Sequence, residues 1–214
     1  MKFSDLYLIN THNGIPSKNI LPIDIKQYPS VKSHLDEYLT KIKDRDDQGI
    51  TPYNLRSCAY MDDFSKHKII YPDIMRMPRN PDLLSTYPYF YFDRNAFYAE
   101  ATNFILTGSN IELIFTFLAS KIGFYSFSKF YTGPQFDETG FRYKKEYMNN
   151  MIIPDISQSD NEVLTLCFDE NYGLDNDKLD KVCEEIFIKT IGLDKKEEEI
   201  IHSYKKRLLL TNKI

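Results

Sequence analysis

Aromatic side chains are concentrated in two stretches in the middle of the chain, and this concentration most constrains the fold. Seven aromatic residues lie between Tyr87 and Tyr98, and nine lie between Phe124 and Tyr147. Aromatic rings bury a large apolar area and are enriched in β-strands. We therefore expect an aromatic, β-rich core with tyrosine hydroxyls at its edge. The alternative is that some of these rings stack on nucleic-acid bases.

One segment, from Ile111 to about Lys121, has the composition of a buried helix. Asn110 is a suitable N-cap, and Gly123 lies beyond the expected end of the helix. The segment is apolar on most faces, which is typical of a helix enclosed in a core. A second, amphipathic helix is predicted from Ser30 to about Asp44, where apolar residues recur at helical spacing.

Short apolar runs predict the strands of the same body. The expected strands are 68–71, 89–92 and 96–99, with a turn between the last two. Two long loops are expected between the elements, at 74–89 and 128–142, because prolines and glycines interrupt both stretches.

The acidity of the chain lies in its C-terminal quarter. The net charge is −4 overall, but residues 151–214 carry nine basic and 14 acidic side chains, whereas residues 51–150 carry 11 basic and 10 acidic ones. Basic clusters in the middle can therefore form a local positive surface. Three helices are expected in the acidic part, at about Asp160–Phe168, Asp177–Ile191 and Asp194–Leu210.

A chain of 214 residues can form one full domain and a small helical addition. The expected fold class is α+β, with a mixed or antiparallel β-rich body that contains a buried helix (1–156), followed by a C-terminal helical segment (157–214). No apolar stretch approaches the roughly 20 residues that a membrane span needs. The cysteines are not closely paired, which favours a reducing cytoplasm. We expect a cytoplasmic protein with no membrane partner.

The motifs of common enzymes are missing. The eight glycines are scattered, so there is no glycine-rich nucleotide loop, and no Asn/Asp-Pro-Pro-Tyr/Phe motif of amino-group methyltransferases occurs. A nuclease motif could start at Pro72-Asp73, Pro81-Asp82 or Pro154-Asp155, but the later Asp194-Lys195-Lys196 falls at a predicted surface helix. Metal-dependent cleavage needs these groups close together. We predict no catalytic residue and no metal site. A degenerate nuclease stays possible, in addition to the two functions considered below.

An ordered series of short motifs runs through the body of the chain. The series consists of Tyr53-Asn54-Leu55-Arg56, Phe64 to Ile74, Phe90-Tyr91-Phe92-Asp93, Leu118-Ala119-Ser120-Lys121, and Gly140 to Tyr147 running into Ile152-Ile153-Pro154. This series resembles the TaqI-like C-terminal specificity domain, which is the target-recognition part of type IIG-like restriction–modification enzymes and related adenine-specific DNA methyltransferases. The resemblance covers roughly residues 7–156.

The resemblance implies that the chain binds double-stranded DNA for an adenine methyltransferase and restriction endonuclease located elsewhere. The chain would then be a non-catalytic fragment or subunit, holding the duplex while its partner flips the target adenine. S-adenosylmethionine and Mg²⁺ would be cofactors of the parent enzyme, and no cofactor is expected in this chain. The alternative function is a protein–protein interaction module without DNA binding.

Lysine and arginine side chains bind phosphates, and arginine or glutamine side chains can read base edges. The candidate DNA-binding residues are Arg56, Lys66, Lys68, Arg76, Arg79, Lys129, Thr132, Gln135, Arg142, Lys144 and Lys145. Other roles remain open for several of them. Arg56 could form a structural ion pair, and Lys66 and Lys68 could protect a strand edge. Arg76 and Arg79 could be solvated loop charges.

Overall fold

The computed structural model describes residues 6–133, 137, 140–166 and 179–211. The chain divides into two compact units, the N-terminal unit (Lys2–Ser65) and the C-terminal unit (Lys66–Ile214). The expected boundary at 156/157 does not separate compact units, because helices on both sides of it share one apolar cluster. The α+β class is confirmed: among the described residues 49% are helical and 12% are in strands, and these strands form two small antiparallel sheets.

The N-terminal unit contains short helical elements. These are 3₁₀ turns at Pro16–Lys18, Ile25–Gln27 and Met61–Ser65, and the helices α1 (Pro29–Asp36) and α2 (Leu39–Ile42). The single helix predicted from Ser30 to Asp44 is instead broken at Tyr38, which has φ −107° and ψ 5°. No residue of α1 or α2 is fully buried. Tertiary packing, which supplies most helix stability, is therefore weak along this segment.

The C-terminal unit begins with a three-stranded antiparallel sheet. Its central strand is β1 (Lys68–Pro72), which pairs with β3 (Tyr91–Asp93) on one side and β4 (Asn103–Leu106) on the other. Ile69 lies opposite Phe92 in the register of β1 and β3. The predicted strands at 68–71 and 89–92 thus correspond to β1 and, in part, to β3.

The strand expected at 96–99 is not formed, and β4 replaces it further along the chain. The Asp93 carboxylate accepts hydrogen bonds from the backbone N–H groups of Asn95 (2.8 Å) and Phe97 (2.9 Å). Ala96 has a positive φ of 56°. These bonds turn the backbone immediately after β3, so the returning strand starts only at Asn103.

A second, two-stranded antiparallel sheet lies inside the two regions predicted as loops. It pairs β2 (Ile74–Arg76) with β5 (Gly140–Arg142). Met75 lies opposite Phe141, and both side chains are buried. A 3₁₀ turn at Pro81–Thr86 follows β2. We call this pair of strands the β-ribbon.

The predicted buried helix is present as α3 (Ile111–Ala119), which has six buried residues. It ends at Ser120, whose Oγ accepts a hydrogen bond from the N–H of Gly123 (2.9 Å) and so caps the next helix, α4 (Lys121–Ser126). A Cβ atom on Gly123 would lie 1.9 Å from the carbonyl oxygen of Phe117. Gly123 was expected beyond the end of a helix, but it lies inside α4. Because it has no Cβ atom, it permits the close junction between α3 and α4.

Helix α3 contributes to two apolar clusters. Phe115 and Leu118 join a cluster of strand residues and aromatic rings, whereas Leu113 and Phe117 join a second cluster that includes Leu164. The other described α-helices of the C-terminal unit are α5 (Lys145–Asn149), α6 (Gln158–Leu166), α7 (Glu184–Ile191) and α8 (Lys195–Thr211), and a π-helical turn at Leu179–Cys183 precedes α7. Helices α6, α7 and α8 all supply side chains to the second cluster.

Within the described ranges, no single helix is long and apolar enough to cross a membrane. Helix α3 and the helical segment Lys121–Tyr131 reach the length and apolar composition of a membrane span only when taken together. The two are bent relative to each other by 72°. The segment Lys121–Tyr131 consists of α4 and a π-helical turn at Phe127–Tyr131.

Candidate nucleic-acid interface

The β-ribbon brings together basic residues from both predicted loops. Arg76 of β2 lies opposite Gly140 of β5. Gly140 and Arg142 are two residues apart on β5. Because side chains alternate along a strand and opposed residues share a face, Arg76 and Arg142 belong to the same face of the ribbon. Met75 and Phe141 occupy the other face and are buried. The ribbon is thus apolar on its packed face and carries two guanidinium groups on the other.

Three further predicted site residues lie next to Arg142. The Thr132 hydroxyl donates a hydrogen bond to the carbonyl oxygen of Arg142 (3.5 Å). Lys144 has an extended backbone (ψ 150°), so alternation places it on the same side as Arg142. Lys145 is exposed and begins α5. We define the ribbon face as Arg76, Thr132, Arg142, Lys144 and Lys145.

An acidic residue that the sequence did not single out also lies at the ribbon face. The Arg76 Nε donates a hydrogen bond to Asp137 Oδ2 (2.8 Å), and the two side chains are 54% and 39% exposed. An exposed ion pair of this kind contributes little stability, because water screens it. Asp137 therefore reduces the positive charge of the ribbon face, and a phosphate oxygen can compete with it for Arg76.

Lys68 must be removed from the candidate DNA contacts. Its side chain is completely buried and forms an ion pair with the equally buried Asp93. The edge-protecting role considered for Lys68 is also wrong, because β1 is the central strand of its sheet. Asp93 in turn caps the chain after β3, so this pair joins two neighbouring strands inside the core.

Two other candidates interact with groups away from the ribbon face. In the N-terminal unit, Arg56 Nη1 lies 3.1 Å from Asp47 Oδ1 in an exposed ion pair, which is the structural alternative considered for it. In the C-terminal unit, the ammonium group of Lys129 lies over the ring of Tyr204, 4.9 Å from the ring centroid. This cation–π contact gives Lys129 a packing role beside α8.

Lys66 and Arg79 are two further described candidates that lie outside the ribbon face as defined above. Lys66 is exposed and lines a small cavity of 440 Å³ together with His67 and Glu112. Arg79 is exposed and follows β2 by three residues. Gln135 lies outside the described residues. No sequence signal identified Asp137 as a neighbour of Arg76, because that contact depends on the register of the ribbon.

Most aromatic rings of the middle segment are packed into the core. The rings of Tyr143 and Phe127 are stacked, with centroids 4.2 Å apart and planes inclined by 6°. The hydroxyls of Tyr143 and Tyr87 lie 3.4 Å apart in a buried position. Burial raises the pKa of both tyrosines, because the phenolate would lose its hydration. The core role considered for these rings is therefore favoured over base stacking, although Phe130 is largely exposed.

Across the part of the chain that the structure describes, no three His, Cys, Asp or Glu side chains are grouped as metal ligands.

No protein-family model matches the chain, and no curated protein matches it either. The ribbon face offers guanidinium, ammonium and hydroxyl donors. Such donors form charge-assisted hydrogen bonds with phosphate and other anions.

Proposed function

We propose that this chain is a DNA sequence-recognition (specificity) domain of a restriction–modification enzyme and that the ribbon face binds duplex DNA. The methyltransferase and endonuclease chemistry, with S-adenosylmethionine and Mg²⁺, belongs to a domain or subunit elsewhere, as the motif series implies. We expect the complex to act in the cytoplasm.

The single observation that carries the proposal is the convergence of Arg76 and Arg142 on one face of a two-stranded antiparallel ribbon. The major groove of B-DNA admits a ribbon of this kind. Arginine can bind a guanine edge through two hydrogen bonds, whereas Lys144 and Lys145 suit phosphates, which position the protein without reading sequence. The buried face, with Met75, fixes the ribbon to the core.

The decisive experiment is a selection of duplexes by the full chain from a random-sequence pool, at low and at near-physiological salt. Enrichment of one short site supports the proposal and identifies the target. Recovery of an unenriched pool with a steep loss at higher salt contradicts sequence recognition and leaves phosphate binding only. No recovery at either salt favours the protein-interaction module, and Mg²⁺-dependent cleavage of the pool would indicate a nuclease.

A pair of double variants localises the interface. Lys144→Ala/Lys145→Ala should weaken binding to all duplexes alike and flatten the salt dependence of log K by about one to two units. Lys195→Ala/Lys196→Ala is the matched control, since it removes another consecutive lysine pair at the start of a helix. Equal effects of the two double variants would contradict the assignment of the ribbon face.

A substitution of Asp137 should strengthen duplex binding, whereas the lysine substitutions should weaken it. Asp137→Asn removes a negative charge from the ribbon face and releases Arg76 from its ion pair. Duplex affinity measured by fluorescence anisotropy should therefore increase, and more so at low salt. An unchanged or lower affinity would show that DNA does not approach Arg76.

A further inference from the structure

The C-terminal unit contains an apolar groove that the proposed DNA contacts do not use. It has a volume of 780 Å³ and lies between the helical segment Lys121–Tyr131, residues 152–155, the end of α7 and the start of α8. Phe117, Ile122 and Ile201 are buried residues of its lining, and Phe130 and Ile152 are exposed ones. We call this feature the apolar groove.

Two residues of the groove lining are unusually exposed for their type. Phe130 is 73% exposed and Ile152 is 75% exposed. The backbone beneath Ile152 is held in place, because its N–H donates a hydrogen bond to the Tyr131 hydroxyl (3.2 Å) across the groove lining. Neighbouring large apolar side chains that stay exposed on a fixed backbone are typical of a surface that binds a partner.

The charges of the groove have one sign. Among the residues that the structure describes, the charged ones in its lining are Asp155 and Glu197, and none of the described lysine, arginine or histidine side chains lines it. Lys195 and Lys196 are close in sequence but do not belong to the lining. The Glu197 carboxylate is positioned by a capping box, in which it accepts a hydrogen bond from the N–H of Asp194 (2.9 Å). The groove therefore repels phosphates and attracts cationic groups.

We propose that the apolar groove binds a peptide segment of a protein partner, with apolar side chains filling the groove and lysine or arginine side chains pairing with Asp155 and Glu197. Apolar anchors with complementary flanking charges are the usual basis of peptide recognition in a groove. A second copy of this chain facing the same groove would place acids against acids. The site is independent of DNA binding by the ribbon face.

The test is a selection of random 16-residue peptides displayed on phage, with the full chain as bait and the variant Phe130→Ser/Ile152→Ser as the counter-selection. Both substituted side chains are exposed, so the variant should fold, which circular dichroism checks. We expect enriched peptides to combine apolar residues with a net positive charge. Their affinity for Phe130→Ser/Ile152→Ser should fall at least roughly tenfold, whereas Leu83→Ser/Leu210→Ser, which removes exposed apolar residues outside the groove, should leave it unchanged.

A second pair of variants tests the role of charge. Asp155→Asn/Glu197→Gln should weaken the selected peptides about three- to tenfold at low salt, and the control Glu185→Gln/Glu198→Gln should not. The proposal is overturned if no peptide is enriched over the counter-selection variant, or if neutral or acidic peptides are enriched. It is also overturned if the chain dimerises through Phe130 and Ile152, as light scattering of the wild type and variant would reveal.

Discussion

The two units of the chain are organised by different kinds of interaction. Among the described residues of the N-terminal unit, the buried side chains are Thr11, Ile25 and Asn54, whereas the C-terminal unit buries two apolar clusters. Asn54 is the polar centre of the N-terminal unit. Its Nδ2 donates hydrogen bonds to the carbonyl oxygens of Ile23 (2.9 Å) and His12 (3.4 Å).

Arg45 and Thr11 extend this polar network. The Arg45 guanidinium donates to the carbonyl oxygens of Pro52 (3.0 Å) and Asn54 (3.2 Å), and the Thr11 hydroxyl donates to that of Tyr53 (2.7 Å). A hydrogen bond contributes about 0.5–1.5 kcal/mol net, less than the roughly 1.5–3 kcal/mol from burying a large apolar side chain. We therefore expect the N-terminal unit to open more readily than the C-terminal unit.

This difference changes the interpretation of the first motif of the series. Tyr53 donates its hydroxyl hydrogen to Asp36 Oδ1 (2.6 Å), Asn54 bonds within the unit, and Arg56 pairs with Asp47. The polar groups of this motif are thus engaged inside the N-terminal unit. In the C-terminal unit, the ribbon face carries its basic groups on a strand pair whose other side is anchored in a core, with Arg76 paired to the exposed Asp137 and the Nε of Arg142 buried.

The largest expected effect comes from the buried ion pair of the C-terminal unit. Asp93→Asn leaves the Lys68 ammonium buried without its counter-charge, which should lower the free energy of unfolding by about 3–5 kcal/mol in urea denaturation. The double variant Lys68→Met/Asp93→Asn removes both charges and should recover part of this loss, because an asparagine side chain keeps only one of the two oxygens that accept from the N–H groups of Asn95 and Phe97. Asp137→Asn, at an exposed pair, is the control. A loss below about 1 kcal/mol for Asp93→Asn would contradict the contrast between the units.

A smaller and local effect is expected at the centre of the N-terminal unit. Asn54→Ala removes a buried amide that donates to the partly buried carbonyl oxygens of Ile23 and His12, at a cost of about 1–3 kcal/mol. Hydrogen exchange should show faster opening of the N-terminal unit and little change in the C-terminal unit. Asn150→Ala, which removes an exposed asparagine, is the control. Equal loss of protection in both units would mean that they unfold together.

Alkaline pH should weaken the C-terminal unit through its buried tyrosines. Burial raises the pKa of Tyr71 to about 12 and also raises the pKa of Tyr143. Above pH 10, the ordinary tyrosine pKa, the unfolded chain loses these protons while the folded chain keeps them, so stability falls as pH rises from 10 towards 12. Each such tyrosine contributes a slope of about 1.4 kcal/mol per pH unit. Tyr143→Phe should flatten the slope in urea titrations, and an unchanged slope would contradict this cause.

The smallest effect is expected at the surface of the N-terminal unit. Tyr53→Phe removes a hydrogen bond to Asp36 in an exposed network that also includes Lys32. Because water competes for these groups, the urea midpoint should hardly change, and the difference should shrink further at high salt. A shift as large as that of Asn54→Ala would show that surface bonds, and not Asn54, organise the unit.

Elements with a strong local pattern were predicted well from the sequence. The apolar run after Asn110 forms α3, the run at 68–71 forms β1, and the described tail helices α6 and α8 begin within about two residues of their predicted positions. In each case, the spacing of apolar residues within one segment is sufficient to indicate the element. Failures occurred where a distant contact determines the local conformation, as at β2 and β5, which lie in the two segments predicted as loops.

The candidate site was predicted only in part for the same reason. Arg76, Arg142 and Lys144 were selected by residue type, but their common face depends on the pairing of β2 with β5. Lys68 was selected by the same criterion and is buried, because its neighbour in space is Asp93. Residue type identifies groups that can bind an anion, but the sequence does not show whether such a group reaches solvent.

The sequence by itself determined the α+β class, the burial of the central helix and the absence of recognisable catalytic motifs, because these follow from composition and short-range periodicity. The tertiary structure alone decided which lysine pairs with an acid inside the core, which arginines share the ribbon face, and where the apolar groove lies. These features arise from contacts between segments far apart in the chain, such as β2 with β5 and the segment Lys121–Tyr131 with α8. Contacts of that kind are set by packing of the whole unit and leave no local periodicity in the sequence.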